Sequence, residues 1–229
     1  MSGTNKQIYI PKITISGSYV EEIGSPEERL IYPGTPFDID RLTAELNVIH
    51  QSKNPDINTH IIYDLYVPKL VERFSLFPSR FIEDGKPLVH RFTKFFEDYR
   101  EQQKAIPCVM HGDSVFTNIF LDKKHTLKFI DMRGMIGNTR TIFGDKNYDY
   151  AKVMQSLLGY DFILRNVSQN KNYTQNLISR FLSKTNANQR DVMMIAAYLL
   201  FTLIPLHDDN QNVQNQCFAL SKAISLEYV

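Results

Sequence analysis

Two carboxylates and one side-chain amide are spaced in a way that could hold a divalent cation. Asp113 and Asn118 are five positions apart, and Asp131 follows thirteen positions after Asn118. Apolar runs at residues 106–110 and 127–130 precede the two carboxylates. We predict that these runs are short strands whose ends meet at one mouth. Asp and Asn oxygens are hard ligands, which suit Mg²⁺ better than zinc or copper, and the spare carboxylate could take a proton from a hydroxyl.

The elements that must position these side chains are predicted from the spacing of apolar residues. Residues 118–121 and 127–130 are expected to pair as a hairpin, turned through the polar residues around Lys123. A glycine-containing loop then runs to Gly144. Helices are expected in the tail at roughly 148–159, 173–184, 189–204 and 212–226.

The chain changes character near residue 36. Before it, β-forming residues separated by Pro and Gly predict strands and turns. After it, apolar residues recur at helical spacing, and Asp38 or Asp40 could cap the first helix. Pro68 is expected to interrupt or restart a second helix, and Pro87 to lie in the first turn of a third. The β-formers of the first segment are Ile8, Ile10, Ile13, Ile15, Tyr19 and Val20.

Aromatic residues and histidines outside the polar loop fit structural roles. The aromatic residues that follow Pro87 recur at helical spacing and are expected in the core. The histidines of the helical segments have no Cys or His partner at metal-ligand spacing. The two sets are Phe92, Phe95, Phe96 and Tyr99, and His50, His60 and His90.

Composition excludes several classes of protein. The chain has 229 residues with 26 Lys plus Arg against 25 Asp plus Glu, and this near-neutral balance without a basic block argues against a nucleic-acid binder. Two cysteines, Cys108 and Cys217, predict reduced thiols in a cytoplasmic protein, with Cys108 an inert buried thiol. The longest apolar run, residues 192–206, is too short to span a bilayer, so we expect a buried core helix and no membrane span.

The polar loop resembles that of a known enzyme family. The pattern His111-Gly112-Asp113, four residues, Asn118, and then a strand ending in Asp131 resembles the aminoglycoside phosphotransferases and choline kinases. These are small-molecule kinases with a protein-kinase-like fold. The resemblance implies ATP as co-substrate, Asp113 as catalytic base, and Asn118 and Asp131 as Mg²⁺ ligands. It assigns His111 to supporting the loop.

The resemblance extends beyond the loop, over about residues 36–225, with its motifs within 111–152. Tyr148-Asp149 looks like the acidic start of the helix that follows the second metal ligand, where Asp149 would cap the helix and brace the catalytic loop. The residue sequence of this stretch most resembles that of bacterial phosphotransferase-like proteins of capsule and cell-surface polysaccharide pathways.

Two further residues keep alternative roles. Arg133 could contact a phosphate or an anionic substrate, or it could form an ion pair with Asp145 or Asp149. Asp145 could assist Mg²⁺ or a cationic substrate group, with capping or turn duty as the alternative.

The implied fold is α+β and mostly helical: the C-terminal lobe of a kinase-like fold, with a small β-hairpin carrying the catalytic loop. The N-terminal lobe is expected to be absent or much reduced. The sequence has no G-x-G-x-x-G, and Lys6 and Lys12 precede Gly17, whereas the phosphate-pairing Lys of kinases should follow the glycine loop. We therefore expect residues 1–35 to be a lobe remnant or hinge and residues 36–229 to form the C-terminal lobe.

Three functions remain open from sequence. The first is Mg²⁺-dependent transfer of the ATP γ-phosphoryl group to a hydroxyl of a small molecule: a sugar, an amino alcohol or a polysaccharide precursor. The second is a non-catalytic kinase-like module, or a partial enzyme that needs a separate or fused N-terminal lobe. The third is a metal-dependent phosphoesterase that would use His111, Asp113, Asp131 and Asp145.

Overall fold

The computed structural model describes residues 12–16, 19–23, 28–30, 39–51, 59–122 and 127–228. These residues are mostly helical, with small antiparallel sheets. The strands are β1 (Lys12–Ser16), β2 (Tyr19–Ile23), β3 (Glu28–Leu30), β4 (Pro107–Val109), β5 (Ile119–Asp122), β6 (Leu127–Phe129), β7 (Met135–Ile136), β8 (Thr139–Arg140) and β9 (Phe143–Asp145). The helices are α1 (Ile39–His50), α2 (Thr59–Ile62), α3 (Val67–Ser75), α4 (Ile82–Glu101), α5 (Lys146–Leu157), α6 (Tyr160–Arg165), α7 (Lys171–Thr185), α8 (Gln189–Leu203) and α9 (Gln211–Glu227).

Helix α8 is the centre of the helical body. Its sequence is apolar on all sides, and every residue from 191 to 202 is buried. Helices α3, α4, α5 and α9 pack against it. A helix that is hydrophobic all round stays out of water by being enclosed. The predicted core helix is confirmed.

By length and composition alone, Gln189–His207 is long and apolar enough to cross a membrane, and no other helix among the described residues is. Most of this stretch is buried inside the fold. The core helix of a globular body passes the same test, so the packing around α8 already accounts for its apolarity.

Helix α4 carries the predicted aromatic face. Phe92, Phe96 and Tyr99 are fully or almost fully buried, and the ring of Phe96 packs edge-on against Tyr198 of α8 with centroids 4.9 Å apart. The prediction for Pro87 is wrong, because α4 begins five residues earlier, at Ile82. Pro87 thus lies beyond the first turn and has no N–H to donate to the Glu83 carbonyl, so α4 continues with this one backbone hydrogen bond missing.

The tail follows the predicted order of helices. The observed helices α5, α7, α8 and α9 begin and end within two residues of the predicted ranges. Helix α6 was not predicted, since it has only six residues and directly follows α5. Gly159 separates the two with a φ of 126°, a backbone conformation that favours glycine.

The strands form small sheets at one side of the helices. β5 and β6 pair antiparallel, with Ile119 opposite Phe129, which confirms the predicted hairpin. β4 pairs with β9, and β7 with β8, two pairings that the sequence did not indicate. β4 and β9 thereby place the loop after β4 directly beside the start of α5.

Within the first segment, residues 12–16, 19–23 and 28–30 are described, and they are extended, as predicted. β1 and β2 form an antiparallel hairpin, and β3 pairs with β5, so that this segment shares a sheet with the β5–β6 hairpin. Ile8, Ile10, the candidate helix cap Asp38 and the predicted turn at Lys123 lie outside the described residues. The other candidate cap, Asp40, is the second residue of α1 and therefore does not cap it.

Candidate active site

The loop that carries Asp113 begins where β4 ends. Strand β4 is held by β9, and the pairing continues one residue further through the Met110 N–H, which donates to the Ile142 carbonyl at 2.9 Å. Gly112 then has a φ of +78°, and a Cβ at this position would lie 2.6 Å from the Cβ of Arg133. Only glycine fits here, because the backbone is left-handed and a neighbouring chain segment passes within contact distance.

The buried carboxylate of Asp149 holds the loop that carries Asp113 through hydrogen bonds to its backbone. The carboxylate accepts hydrogen bonds from the backbone N–H groups of His111 at 2.7 Å and Gly112 at 2.6 Å. Nε2 of His50, the last residue of α1, lies 3.0 Å from the same carboxylate. Asp149 is completely buried in the first turn of α5. Because one buried carboxylate ties two helices to consecutive loop amides, the backbone around Asp113 is held in one conformation.

Two serine contacts continue this attachment. Ser114 Oγ donates to the Asp149 carbonyl at 2.9 Å, and the Phe116 N–H donates to Ser156 Oγ at 3.0 Å. Both serines are buried. The loop is therefore hydrogen-bonded to both the first and the last turn of α5.

Each carboxylate oxygen of Asp113 contacts one polar side chain. Lys152 Nζ of α5 lies 2.9 Å from Oδ1, and Asn118 Nδ2 donates to Oδ2 at 2.9 Å. Burial opposes ionisation and raises the pKa of Asp113, but the Lys152 charge and the hydrogen bonds from Lys152 and Asn118 outweigh it and lower the pKa below the ordinary value. Its side chain is 36% exposed, so a carboxylate that stays ionised still has access to a ligand.

Asn118 and Asp131 are brought together by the hairpin. The Ile130 N–H donates to the Asn118 carbonyl at 3.0 Å, which extends the β5–β6 pairing to the residue before Asp131. Asn118 Nδ2 also donates to the Asp113 carbonyl at 2.9 Å. Two oxygen partners on Nδ2 define the orientation of this amide and leave Oδ1 as its acceptor atom.

Asp131 itself is exposed and has an unusual backbone. Its φ is 59°, the left-handed region that residues other than glycine rarely adopt. Two residues later the Arg133 N–H donates to the His111 carbonyl at 2.7 Å, which joins this segment to the loop that carries Asp113. Strained backbone of this kind tends to accumulate at functional sites.

All three predicted residues, Asp113, Asn118 and Asp131, line one cavity of about 510 Å³. Its wall continues over helices α3, α5, α6 and α8. Polar and charged side chains surround much of it. These are Lys69, Arg73, Asp113, Thr117, Asn118, Asp131, Arg133, Lys152, Gln155 and Thr202.

A group of cations meets beside Asp113. Lys69 Nζ of α3 and Arg133 Nη1 donate to the same oxygen, Tyr148 Oη, at 3.0 and 2.9 Å. Burial raises the pKa of Tyr148, but the charges of Lys69, Lys152 and Arg133 outweigh it and lower the pKa to about 8. Burial, with repulsion from Lys152 and Arg133, lowers the pKa of Lys69, whereas the charge of Asp113 outweighs burial at Lys152 and raises that pKa. The proposed ion pairs of Arg133 with Asp145 or Asp149 are not formed.

Asp145 occupies a separate, closed environment. It caps α5 by accepting from the Asn147 N–H at 3.0 Å, so the cap is Asp145 and the capping role expected for Asp149 is wrong. The hydroxyls of Tyr66 and Tyr99 donate to its Oδ2 at 2.6 and 2.7 Å, and the Ile106 N–H donates to Oδ1 at 3.0 Å. Asp145 is completely buried and does not line the cavity.

His111 is enclosed as well. Its Nδ1 accepts from the Asp113 N–H at 3.2 Å, and its ring lies 5.6 Å from that of Phe129. It is 2% exposed and turns away from the cavity surface. Cys108 is also buried, and burial raises its pKa, in keeping with the predicted inert thiol.

Sequence reasoning missed four residues of the site. Lys69 and Arg73 come from α3, distant along the chain, and no motif marks them. Lys152 could have been found, because it lies four positions after Tyr148 on α5, on the same helix face. His50 was considered only as a metal ligand, not as a partner for a buried acid.

Asn118 and Asp131 could supply two oxygen ligands to a magnesium ion whose other ligands are water and substrate phosphate oxygens. Among the described residues, no group of three or more His, Cys, Asp or Glu could hold a metal. Asn118 Oδ1 and the Asp131 carboxylate offer two hard oxygens on the cavity wall. Mg²⁺ is commonly bound by one or two protein oxygens, with water and substrate phosphates completing the octahedron.

No protein-family model matches this chain, and a search of curated proteins finds no match either.

Proposed function

We propose that this protein transfers the γ-phosphoryl group of Mg·ATP to a hydroxyl of a small molecule. The acceptor classes are a sugar, an amino alcohol or a precursor of a surface polysaccharide. One observation carries the proposal: Asp113, Asn118 and Asp131 line the same cavity. A catalytic-loop Asp, an Asn and a metal-binding Asp are the residues that position hydroxyl and metal in kinases.

The finer fold assignment belongs to this proposal. We propose that the helical body, with its small hairpin and the loop between β4 and β5, is the C-terminal lobe of a kinase-like fold. The attachment of the loop to α5 through Asp149 supports that assignment, because such a lobe must hold its catalytic loop rigidly. Buried free thiols at Cys108 and Cys217 support a cytoplasmic location.

Asp113 acts on the acceptor. Lys152 and Asn118 each occupy one of its oxygens and so fix the plane of the carboxylate. The acceptor hydroxyl donates a hydrogen bond to Asp113, and its proton passes to this carboxylate as the new P–O bond forms. The bond between the γ-phosphorus and its bridging oxygen breaks, and ADP leaves. Because the transition state is loose, the proton moves late and a weakly basic carboxylate suffices.

Asn118 and Asp131 would hold Mg²⁺, which when bound neutralises charge on the phosphates. The protein's part is to present these two oxygens on the same side of Asp113. The Asn118 amide does so by donating twice to Asp113, and Asp131 by following the last paired residue of the hairpin.

A second function keeps one observation in its favour. The glycine motif G-x-G-x-x-G, which covers the phosphates in protein kinases, does not occur in the given sequence. We therefore retain a kinase-like module that acts with a separate or fused N-terminal lobe, or that binds without turnover. The phosphoesterase gains no support, because Asp145 and His111 are enclosed away from the cavity.

Calorimetry with Mg·ADP and Mg·ATP tests the proposal. We expect saturable binding that requires Mg²⁺ and weakens at least tenfold in Asp131→Asn, since one of two protein oxygens for the metal is lost. Asp98→Asn removes an exposed carboxylate on α4 and serves as the matched control. Undetectable binding at millimolar nucleotide favours the module that needs a partner. Binding that is equal in Asp131→Asn and the wild type would overturn the assignment of the metal site.

A further inference from the structure

The cavity contains more positive than negative charge. Four cations line it, Lys69, Arg73, Arg133 and Lys152, against the carboxylates of Asp113 and Asp131. Lys152 is paired with Asp113. Among the described residues, no carboxylate lies within ion-pair distance of the other three cations, and buried Nε of Arg73 has no hydrogen-bond partner. Lys69, Arg73 and Arg133 are each half-buried, so part of their hydration is lost without a neutralising carboxylate, and an anion bound in the cavity would gain charge-assisted hydrogen bonds from them.

Two of these cations are forced close together. Lys69 Nζ and Arg133 Nη1 both donate to Tyr148 Oη, so the two nitrogens are no more than roughly 6 Å apart and repel each other. The phenol is a neutral acceptor at neutral pH and does not cancel their charge. An anion placed between them would relieve the repulsion and gain charge-assisted hydrogen bonds.

One of the cations, Lys152, and one of the proposed metal ligands, Asn118, contact different oxygens of Asp113. Oδ2 accepts from Asn118, which is one of the two proposed metal ligands. Oδ1 meets Lys152, which adjoins the group formed by Lys69, Arg133 and Tyr148 on the same face of α5. Because Arg133 follows Asp131 by only two residues, competition with Mg·ADP distinguishes an anionic acceptor from the nucleotide as the partner of the cations.

We propose that the acceptor carries an anionic group, a phosphate or a carboxylate, which Lys69, Arg73 and Arg133 bind while its hydroxyl meets Asp113. This inference rests on the proposed function and narrows its acceptor to an anionic alcohol such as a sugar phosphate. The same charges disfavour amino alcohols and other cationic acceptors, which like-charge repulsion excludes.

A matched pair of small alcohols tests this without nucleotide or metal. Glycerol 3-phosphate and glycerol differ only in the phosphate, and calorimetry on the full chain measures each. We expect glycerol 3-phosphate to bind and glycerol to show no heat at the same concentration. Choline, a cationic alcohol, is expected to show none either.

Variants locate the binding. Lys69→Gln and Arg133→Gln should each weaken glycerol 3-phosphate binding at least tenfold, because each removes a charged donor. Lys222→Gln makes the same change at an exposed lysine of α9 and should bind like the wild type. Thermal unfolding of each variant verifies that it is folded. Equal binding in all of them, or tighter binding of choline, overturns the proposal.

One further arm separates the two sources of phosphate. If Asp131→Asn abolishes glycerol 3-phosphate binding, or Mg·ADP competes with it, the cations belong to the nucleotide and the anionic acceptor is wrong. If Mg·ADP fails to bind while glycerol 3-phosphate binds and depends on Lys69 and Arg133, the phosphotransferase proposal fails and the anion site remains.

Discussion

Asp113 and Asp145 are carboxylates of two adjoining regions, and they differ in their hydrogen bonds and in their exposure. Asp145 accepts four hydrogen bonds, from two tyrosine hydroxyls and two backbone amides, and has no exposed surface. Asp113 contacts Lys152 and Asn118 through its side chain and keeps 36% of that side chain exposed to the cavity. The comparison teaches that a carboxylate becomes available for chemistry through unused lone pairs and access, which residue type alone does not provide.

The tyrosines of the two regions differ in the same sense. Burial, and then the negative charge of Asp145, raise the pKa values of Tyr66 and Tyr99. At Tyr148 the cations outweigh burial and bring the pKa to about 8. The region around Asp145 is thus electrostatically negative and closed, whereas the cavity is positive and open.

The largest expected effect separates chemistry from folding. Asp113→Asn should lower ATP-dependent phosphorylation of an acceptor by about 10²–10⁴-fold, the usual contribution of a general base, while the protein still folds. ADP release in the presence of glycerol 3-phosphate, together with thermal unfolding, measures both properties. An active Asp113→Asn variant would remove the distinction on which the comparison rests.

Asp145 is expected to matter for stability. Asp145→Ala leaves two tyrosine hydroxyls and two amides without their acceptor and should lower the free energy of unfolding by about 3–5 kcal/mol. Urea unfolding followed by circular dichroism measures it, with Asp98→Ala on the exposed face of α4 as the control. A loss under about 1 kcal/mol would contradict the structural role.

A smaller loss is expected where α5 holds the cavity loop. Ser156→Ala removes the acceptor of the buried Phe116 N–H and should cost about 1–3 kcal/mol of unfolding free energy. Ser183→Ala, exposed on α7, is the matched control and should change little. Equal stabilities for the two variants would show that the Ser156 hydrogen bond contributes little to holding the loop.

The smallest signal is spectroscopic. One tyrosinate should appear near pH 8 in the absorbance at 295 nm, and Tyr148→Phe should abolish this early step. Because the folded pKa lies below the unfolded one, the folded protein releases this proton first, so Tyr148 adds stability as pH rises from about 8 to 10. Lys69→Gln should move the step to higher pH. A first tyrosine that titrates only above pH 10 contradicts the positive cavity.

Local patterns predicted much of the fold. The long apolar run of α8 and the short apolar runs of β5 and β6 are local signals, and these elements lie where the sequence indicates. Helix α4 begins at Ile82, before Pro87, and Gly85 in its first turn packs against Phe74, where a Cβ would lie 2.8 Å from Cε2. Helix α6 was not predicted, because six residues are too few to show a periodic pattern.

The amino-acid sequence by itself determined the helices, the hairpin and the order of Asp113, Asn118 and Asp131, because periodicity and motif spacing are local properties. Only the tertiary structure decided which carboxylates are exposed to the cavity and which are buried. It joined His50 to Asp149 across 99 residues and set Lys69 beside Arg133, contacts that no local pattern encodes. The charge of the cavity is therefore a property of the fold, because it arises where separate helices bring their side chains to one wall.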